Sequence, residues 1–447
     1  MSTPIVRALA VASVLFLCAA CDGGGGDGES GDGGTIRFIN AVSDASTLGM
    51  EIEEVSVASV AYGHSSERLS YIAGTKSLTF YQVLADGDTQ ALDVVFDVAL
   101  DADEEILVVL YGSMQSIQSL VVEVEAFDLN EGTGRVGLLM LSQHQPQLDM
   151  YLTREDEGLF ETTPVLSEEY GGFAGMIDIE EGDYELEFTR VGEKEAVYDA
   201  GTIDIDEDEN YFIAVLDDFG TQANAIIAIE MVGDSADREL VGDNTPAGLR
   251  FVNGIADYPS VDVYLGDTAS EPLFSNVVFG DATDYVSVAA DDYSLNVTPH
   301  GVTDTFFYED EFSLLAGELS TLVAAGLSMQ DDTSGTLVSD TLRSVAIGAQ
   351  MSFVHASPSN QMVDIYVLLP GQPITDTSPV VAGLSYLLAY DYERAAGDYE
   401  LVVIQSDNGA TILGPIALAL EQGDNLDLYL MDNEGGGTPG SLEIYKF

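Results

Sequence analysis

Gly397-Asp-Tyr-Glu-Leu401 restates Gly182-Asp-Tyr-Glu-Leu186, and Asp291-Asp-Tyr-Ser-Leu295 and Gly74-Thr-Lys-Ser-Leu78 stand at the same place in two further copies. The Gly or Asp at the head of each stretch is turn chemistry. Beyond the turn, apolar and polar residues alternate: Tyr184, Leu186 and Phe188 with Glu185 and Glu187, and Tyr293, Leu295 and Val297 with Ser294 and Asn296. That period of two describes a strand with one face in a core and one in water. Lys76, Tyr184, Tyr293 and Tyr399 are 108, 109 and 106 residues apart. Solenoid units repeat at roughly 20–50 residues, so this spacing predicts self-sufficient domains instead.

Other markers keep the same register. Ile36-Arg-Phe38-Ile-Asn40, Val136-Gly-Leu138-Leu-Met140, Leu249-Arg-Phe251-Val-Asn253 and Met351-Ser-Phe353-Val-His355 open the four copies. Thirteen residues on stand Gly49-Met-Glu51, Asp149-Met-Tyr151, Asp262-Val-Tyr264 and Asp364-Ile-Tyr366. Then come aromatic-Gly pairs, Tyr62-Gly63, Tyr170-Gly171 and Phe279-Gly280; in the fourth copy Ala382-Gly383 takes this place, with three extra residues before Gly397. The third copy reads as seven or eight strands, including 261–265, 285–288, 292–298 and 319–325, and no long stretch has helical spacing. The expected fold is all-β: four tandem immunoglobulin-like antiparallel β-sandwich domains after a signal peptide and disordered tether. An antiparallel barrel is the other architecture this pattern allows. The expected divisions are 1–20 leader, 21–34 tether, and sandwiches at 35–132, 133–240, 247–341 and 346–447. Placed end to end, four such domains would reach well beyond a membrane face.

The chain of 447 residues has 78 acidic and 13 basic side chains, a formal net charge of −65, yet 46% of it is hydrophobic. Such a chain has a core, unlike a disordered acidic protein. Its surface repels nucleic acid and anionic lipid, which excludes both as partners. Carboxylate self-repulsion relaxes as salt shortens the Debye length, which suits a saline environment.

The N-terminus carries Arg7, an apolar run from Ala8 to Ala20, then Cys21, a secretory leader too short to span a bilayer. Leu17-Cys18-Ala19-Ala20-Cys21 resembles a bacterial lipobox, although Cys18 stands where leucine is usual. The resemblance implies lipid attachment at Cys21; an ordinary leader would leave Cys21 a free thiol. Asp22 to Gly34 has no apolar side chain and reads as a flexible tether. Asp22 resembles an inner-membrane retention signal of enteric bacteria, whereas acidic Gly-rich tethers accompany surface export in other lineages. The favoured location is the outer membrane or cell surface, ahead of the periplasmic face of the inner membrane. With Cys18 and Cys21 in the leader and at its cut, no cysteine is left for a disulfide.

Phe353-Val-His-Ala-Ser-Pro358, Val363-Asp-Ile-Tyr366 and Gly397-Asp-Tyr399, echoed by Leu249-Arg-Phe-Val-Asn253, Val261-Asp-Val-Tyr264 and Tyr285-Val-Ser-Val288, resemble a bacterial extracytoplasmic module, the domain of unknown function 4397 family. The resemblance implies a secreted or anchored β-sandwich with no established activity, and it carries over no functional residue.

Chemistry is sparse. The four histidines, His64, His144, His300 and His355, are unmatched between copies; His355 aligns with Asn40, Met140 and Asn253, which suits hydrogen bonding at a strand end. No Gly-x-Ser-x-Gly, His-Glu-x-x-His or phosphate-loop motif occurs. Asp204, Asp206 and Asp208 place oxygens on alternate residues, as calcium requires, but without an EF-hand's central Gly and distal Glu. Corresponding segments in the other copies (Asp101-Ala-Asp-Glu-Glu105, Ala316-Gly-Glu318, Glu421-Gln-Gly-Asp424) read as tight turns. Tyr151, Tyr264, Tyr366, Tyr184, Tyr293 and Tyr399 read as core, with a sugar-stacking stripe as the alternative. The expectation is a lipid-anchored, non-enzymatic envelope protein without a cofactor, acting as a surface interaction or spacer module toward an unknown protein or glycan. The alternatives are a calcium-dependent or glycan-binding module, and a hydrolase using surface carboxylates such as Asp149, Asp262 and Asp364.

Overall fold

The computed structural model describes residues 33–124, 130–154, 157–219, 225–242, 245–330, 332–438 and 440–447. Cys21, the leader and nearly all of the tether lie outside them. The described chain is strands and turns, with two short 3-10 turns at Ser328–Gln330 and Ile374–Asp376. Among the described residues no helix is long and apolar enough to cross a membrane.

The fourth domain shows the plan. Its eight strands are Gly348–Ala356, Met362–Leu368, Val381–Ser385, Ala389–Ala395, Gly397–Gln405, Thr411–Leu420, Asn425–Met431 and Ser441–Lys446. One sheet orders them fourth-first-seventh-eighth and the other third-second-fifth-sixth. The other three domains repeat this order; in the first, two short strands share the fourth position, and in the second, Arg238–Leu240 adds to the edge of the eighth strand. The architecture is therefore tandem β-sandwiches. One pairing departs from an antiparallel plan. First and seventh strands run parallel in every copy, from Thr35↔Glu105, Arg135↔Asn210, Gly248↔Leu319 and Gln350↔Asn425. Both enter the sheet from the same end of the sandwich, where Thr35 N–H donates to Glu104 O at 2.8 Å and Gln350 N–H to Asp424 O at 2.8 Å.

Alternation fills four interiors. Phe38, Leu138, Phe251 and Phe353, the third residue of each opening motif, are all 2% exposed or less and sit in the core of their own sandwich. Tyr184 and Tyr399 face these interiors too. Tyr151, Tyr264 and Tyr366 are also buried. They lie on the outer side of the second sheet, where Lys194 Nζ covers the Tyr151 ring at 4.5 Å and Ile374 packs beside Tyr366.

Four interiors do not exhaust the apolar surface. Ile39, Ala41, Leu107, Val109 and Tyr111 of the first domain pack on Leu139, Phe212, Ala214 and Leu216 of the second. Val252, Val323 and Ala325 of the third pack on Val354, Ala356, Tyr429 and Met431 of the fourth in the same way. The sheet holding the first and seventh strands is thus covered on both sides. The cause is visible in Ile106-Leu-Val-Val-Leu-Tyr111 and Tyr211-Phe-Ile-Ala-Val-Leu216, runs that cannot leave either face in water. The molecule is two face-to-face pairs, and the pairs touch: Ala346 N–H, in the link between domains three and four, donates to Asp44 O of the first domain at 2.7 Å.

The turn marker of the fourth copy also differs from the alignment. Gly63, Gly171 and Gly280 have φ of 79°, 81° and 83° and donate to the carbonyls of Asn40, Met140 and Asn253. The residue that does this in the fourth copy is Leu387, with φ of 62° and its N–H on His355 O at 2.7 Å, so Tyr386-Leu387 takes the place assigned to Ala382-Gly383. The backbone turn survives without glycine because the Leu387 side chain packs into the joint between domains three and four.

Candidate functional site

The acids singled out from the sequence are engaged in turns. Asp262 accepts Gly301 N–H and Asn276 N–H at 2.8 Å, Ser275 Oγ at 2.9 Å and His300 Nδ1 at 2.9 Å. Burial opposes its charge, but these donors hold its carboxyl below the usual range. Asp364 accepts Gly383 N–H at 2.8 Å and Ser406 Oγ at 2.6 Å, and Asp149 accepts Gly192 N–H at 2.9 Å. In the first copy Gly49 replaces this Asp because the Tyr81 ring occupies the space of a side chain.

Asp204 is exposed near the end of the strand Ala196–Ile205, and Asp206 and Asp208 lie in the exposed turn between it and the strand Asn210–Asp217. Among the described residues no three His, Cys, Asp or Glu are gathered as an ion would need. Asp208 has φ of 65° and donates its N–H to Thr133 O at 3.0 Å. Asp103, Gly317 and Gly423 hold the equivalent left-handed position at 60°, 73° and 84°.

The histidines are dispersed. His64 pairs with Asp237 at 2.7 Å, His300 with Asp262, and His144 Nδ1 meets Ala225 O at 3.2 Å. His355 is fully buried, its Nδ1 accepting Ser357 N–H at 3.3 Å and its Nε2 against Asn360 O at 2.5 Å; burial lowers its pKa to about 4. Asn40 and Asn253 do the same work in their copies, accepting Val42 N–H and Ile255 N–H and donating to Val60 O and Val277 O.

The joints between domains bury charge that no sequence motif singled out. Arg37 and Arg250, 1% and 2% exposed, stand between apolar neighbours on strands covered on both faces. Arg250 donates from Nε to Thr321 Oγ1 at 2.6 Å and from Nη2 to Asp427 of the fourth domain, with Asp340 at 4.0 Å. The Tyr285 and Phe447 rings cover it at 4.8 and 4.3 Å. Burial works against the Arg250 charge, yet the oxygens of Tyr429, Tyr285, Asp340 and Asp427 hold its pKa above the ordinary arginine value. Burial, then the Asp427 charge, pushes the Asp340 carboxyl up to about 6, with Arg250 opposing. At the first joint Arg37 donates to Gly233 O, and Arg68 Nε holds Glu105 at 3.0 Å. The aromatic-Gly turns cap these joints: Tyr62 Oη donates to Asp217 O at 2.7 Å, Tyr386 Oη to Ala325 O at 2.9 Å, and the Tyr170 ring meets Tyr111 edge-on. A legible signal existed. Arg interrupts the apolar opening motif in copies one and three, whereas Gly137 and Ser352 stand there in copies two and four. The repeat is thus of pairs as well as of single domains.

A cleft of about 320 Å³ separates the pairs, lined by Tyr62, Asp217, Asp218, Glu239, Glu318 and Arg343 among others. Its charged lining is predominantly anionic.

No curated protein matches the chain. Among solved structures it is similar to the Bacillus anthracis TIE protein at 8% identity and a TM-score of 0.15, covering 91% of this chain and 75% of that one. It is also similar to the product complex of a multi-modular glycogen-degrading pneumococcal virulence factor, SpuA, at 11% identity and a TM-score of 0.16, covering 85% of this chain and 37% of that one. Neither likeness bears on function at such scores. Residues 247–366, the third domain and the opening of the fourth, match the family model described as Domain of unknown function (DUF4397).

Proposed function

We propose that this is a lipid-anchored, non-enzymatic protein of the cell envelope, in which two paired β-sandwich units present an acidic body for surface interaction or spacing. The lipobox-like Leu17-Cys18-Ala19-Ala20-Cys21 followed by the apolar-free tether carries the reading. Supporting it, Asp149, Asp262 and Asp364 act within turns, and the most buried arginines act between domains. A partner would be a protein or glycan that tolerates a strongly anionic surface; nucleic acid is disfavoured by the same charge. The outer membrane or cell surface is the proposed location. Labelled palmitate should enter the wild-type chain and be lost with Cys21→Ala, and protease added to intact cells should degrade the body. A chain that takes up no label, or is released to the medium with a free amino-terminal thiol, would sink the anchoring.

A further inference from the structure

We propose that residues 340–347 and the acid-lined cleft beside them form a latch between two rigid domain pairs, and that this latch opens as ionic strength falls. Within each pair the contact is an apolar sheet-on-sheet face with a buried arginine. Between the pairs the contacts are of another kind. Arg343 Nη1 donates to Ala45 O at 2.6 Å and Ser43 O at 3.3 Å, and its guanidinium lies over the Tyr62 ring at 5.0 Å. Ala346 N–H donates to Asp44 O. Around this latch the cleft gathers Asp217, Asp218 and Glu239 from the second domain and Glu318 from the third; among its described lining residues Arg343 is the sole Lys or Arg. Glu239 feels both sides. Burial first, then the charges of Asp218 and of Glu318, raise its pKa, with His64 opposing.

The forces have different ranges. Hydrogen bonds and a ring contact act only when closed, whereas carboxylate repulsion across the cleft extends over the Debye length, about 8 Å at 0.15 M salt and about 30 Å at 0.01 M. At low salt the whole net charge of −65 adds to the local repulsion. The apolar joints inside each pair have no such dependence, so the cleft yields first. Burial lowers the Arg343 pKa, with the charges of Tyr62, Glu393 and Asp44 opposing.

Hydrogen exchange of the full chain in detergent micelles, in about 0.01 M and about 0.5 M NaCl, tests this. Segments 43–46 and 341–347 should lose protection by about tenfold or more at low salt, while the strands Glu105–Ser113 and Asn425–Met431 keep theirs. Arg343→Ala should remove the protection at both salts, and Glu239→Gln with Glu318→Gln should flatten the salt response. Protection at 43–46 and 341–347 that ignores salt overturns the latch. So does simultaneous loss in the intra-pair strands, or a salt response undiminished by the double substitution. These readouts do not depend on lipid attachment or on any partner.

Discussion

Arg250→Ala is the most exacting test of how the third and fourth domains are held. The substitution removes a guanidinium that is 2% exposed and leaves Asp427 and Asp340, with side chains 7% and 5% exposed, facing each other. Breaking a buried pair from one side costs about 3–5 kcal/mol, and two desolvated ring contacts add roughly 1–2 kcal/mol. The protein limits that loss by taking up protons. In the wild type Asp340 already titrates at about 6, above its ordinary 3.8, so the folded pair binds this proton more tightly than the unfolded chain. Its contribution to stability is therefore greatest at low pH and is lost as pH rises from about 4 to 6, amounting to roughly 3 kcal/mol above that window. Without Arg250 the carboxyl pKa rises further. The variant should lose about 4 kcal/mol or more at pH 7 and at least about 1 kcal/mol less at pH 5. Native-state hydrogen exchange in the strands Leu319–Leu327 and Asn425–Met431 reads the free energy of this pair alone. Arg250→Met with Asp427→Asn, which removes both charges, should recover much of the loss. A deficit below about 1 kcal/mol at pH 7, or one equal at both pH values, would refute the argument.

Other positions give sharper, smaller effects. His355→Asn copies Asn40 and Asn253; because the folded pKa of about 4 lies below 6.5, the wild type loses up to about 3 kcal/mol as pH falls through that interval, and the variant's acid denaturation should lack this component. Gly171→Ala puts a methyl 2.6 Å from Tyr111 Oη at a φ of 81°, so the first pair should lose about 1–3 kcal/mol in chemical denaturation. Leu387→Gly should relax the backbone but empty part of the joint, giving a net change within about 1 kcal/mol of zero; a loss of several would show that packing dominates. Asp208→Gly, matching Gly317 and Gly423, should shift the melting midpoint by only a few degrees, equally with and without calcium. Calorimetric heat on adding calcium that disappears in this variant would instead support an ion site at this turn.

How much was legible depends on residue pattern. Phe38, Leu138, Phe251 and Phe353 recur at one place in four copies, and the period of two around Leu186 and Leu295 names the inward side of a strand without any knowledge of its partners. Turn positions were readable where glycine is needed, as at Gly171, but not at Leu387, where tertiary packing overrides the local preference. Asp204, Asp206 and Asp208 show a different limit: oxygen spacing along a chain does not say whether side chains converge, and among the described residues no three such ligands are gathered.

The all-β character and the four-fold repetition were set by alternation and turn chemistry, which act over a few residues and so are written in the chain itself. The pairing of domains, the burial of Arg37 and Arg250 and the parallel alliance of first with seventh strands arise between residues that are far apart in sequence. Apolar runs such as Ile106 to Tyr111 announce that a second face must be covered, but burial has no direction along a chain. Which sheet supplies the cover is decided only when four sandwiches of similar shape meet, and the charged residues that fit between them are recognised only there.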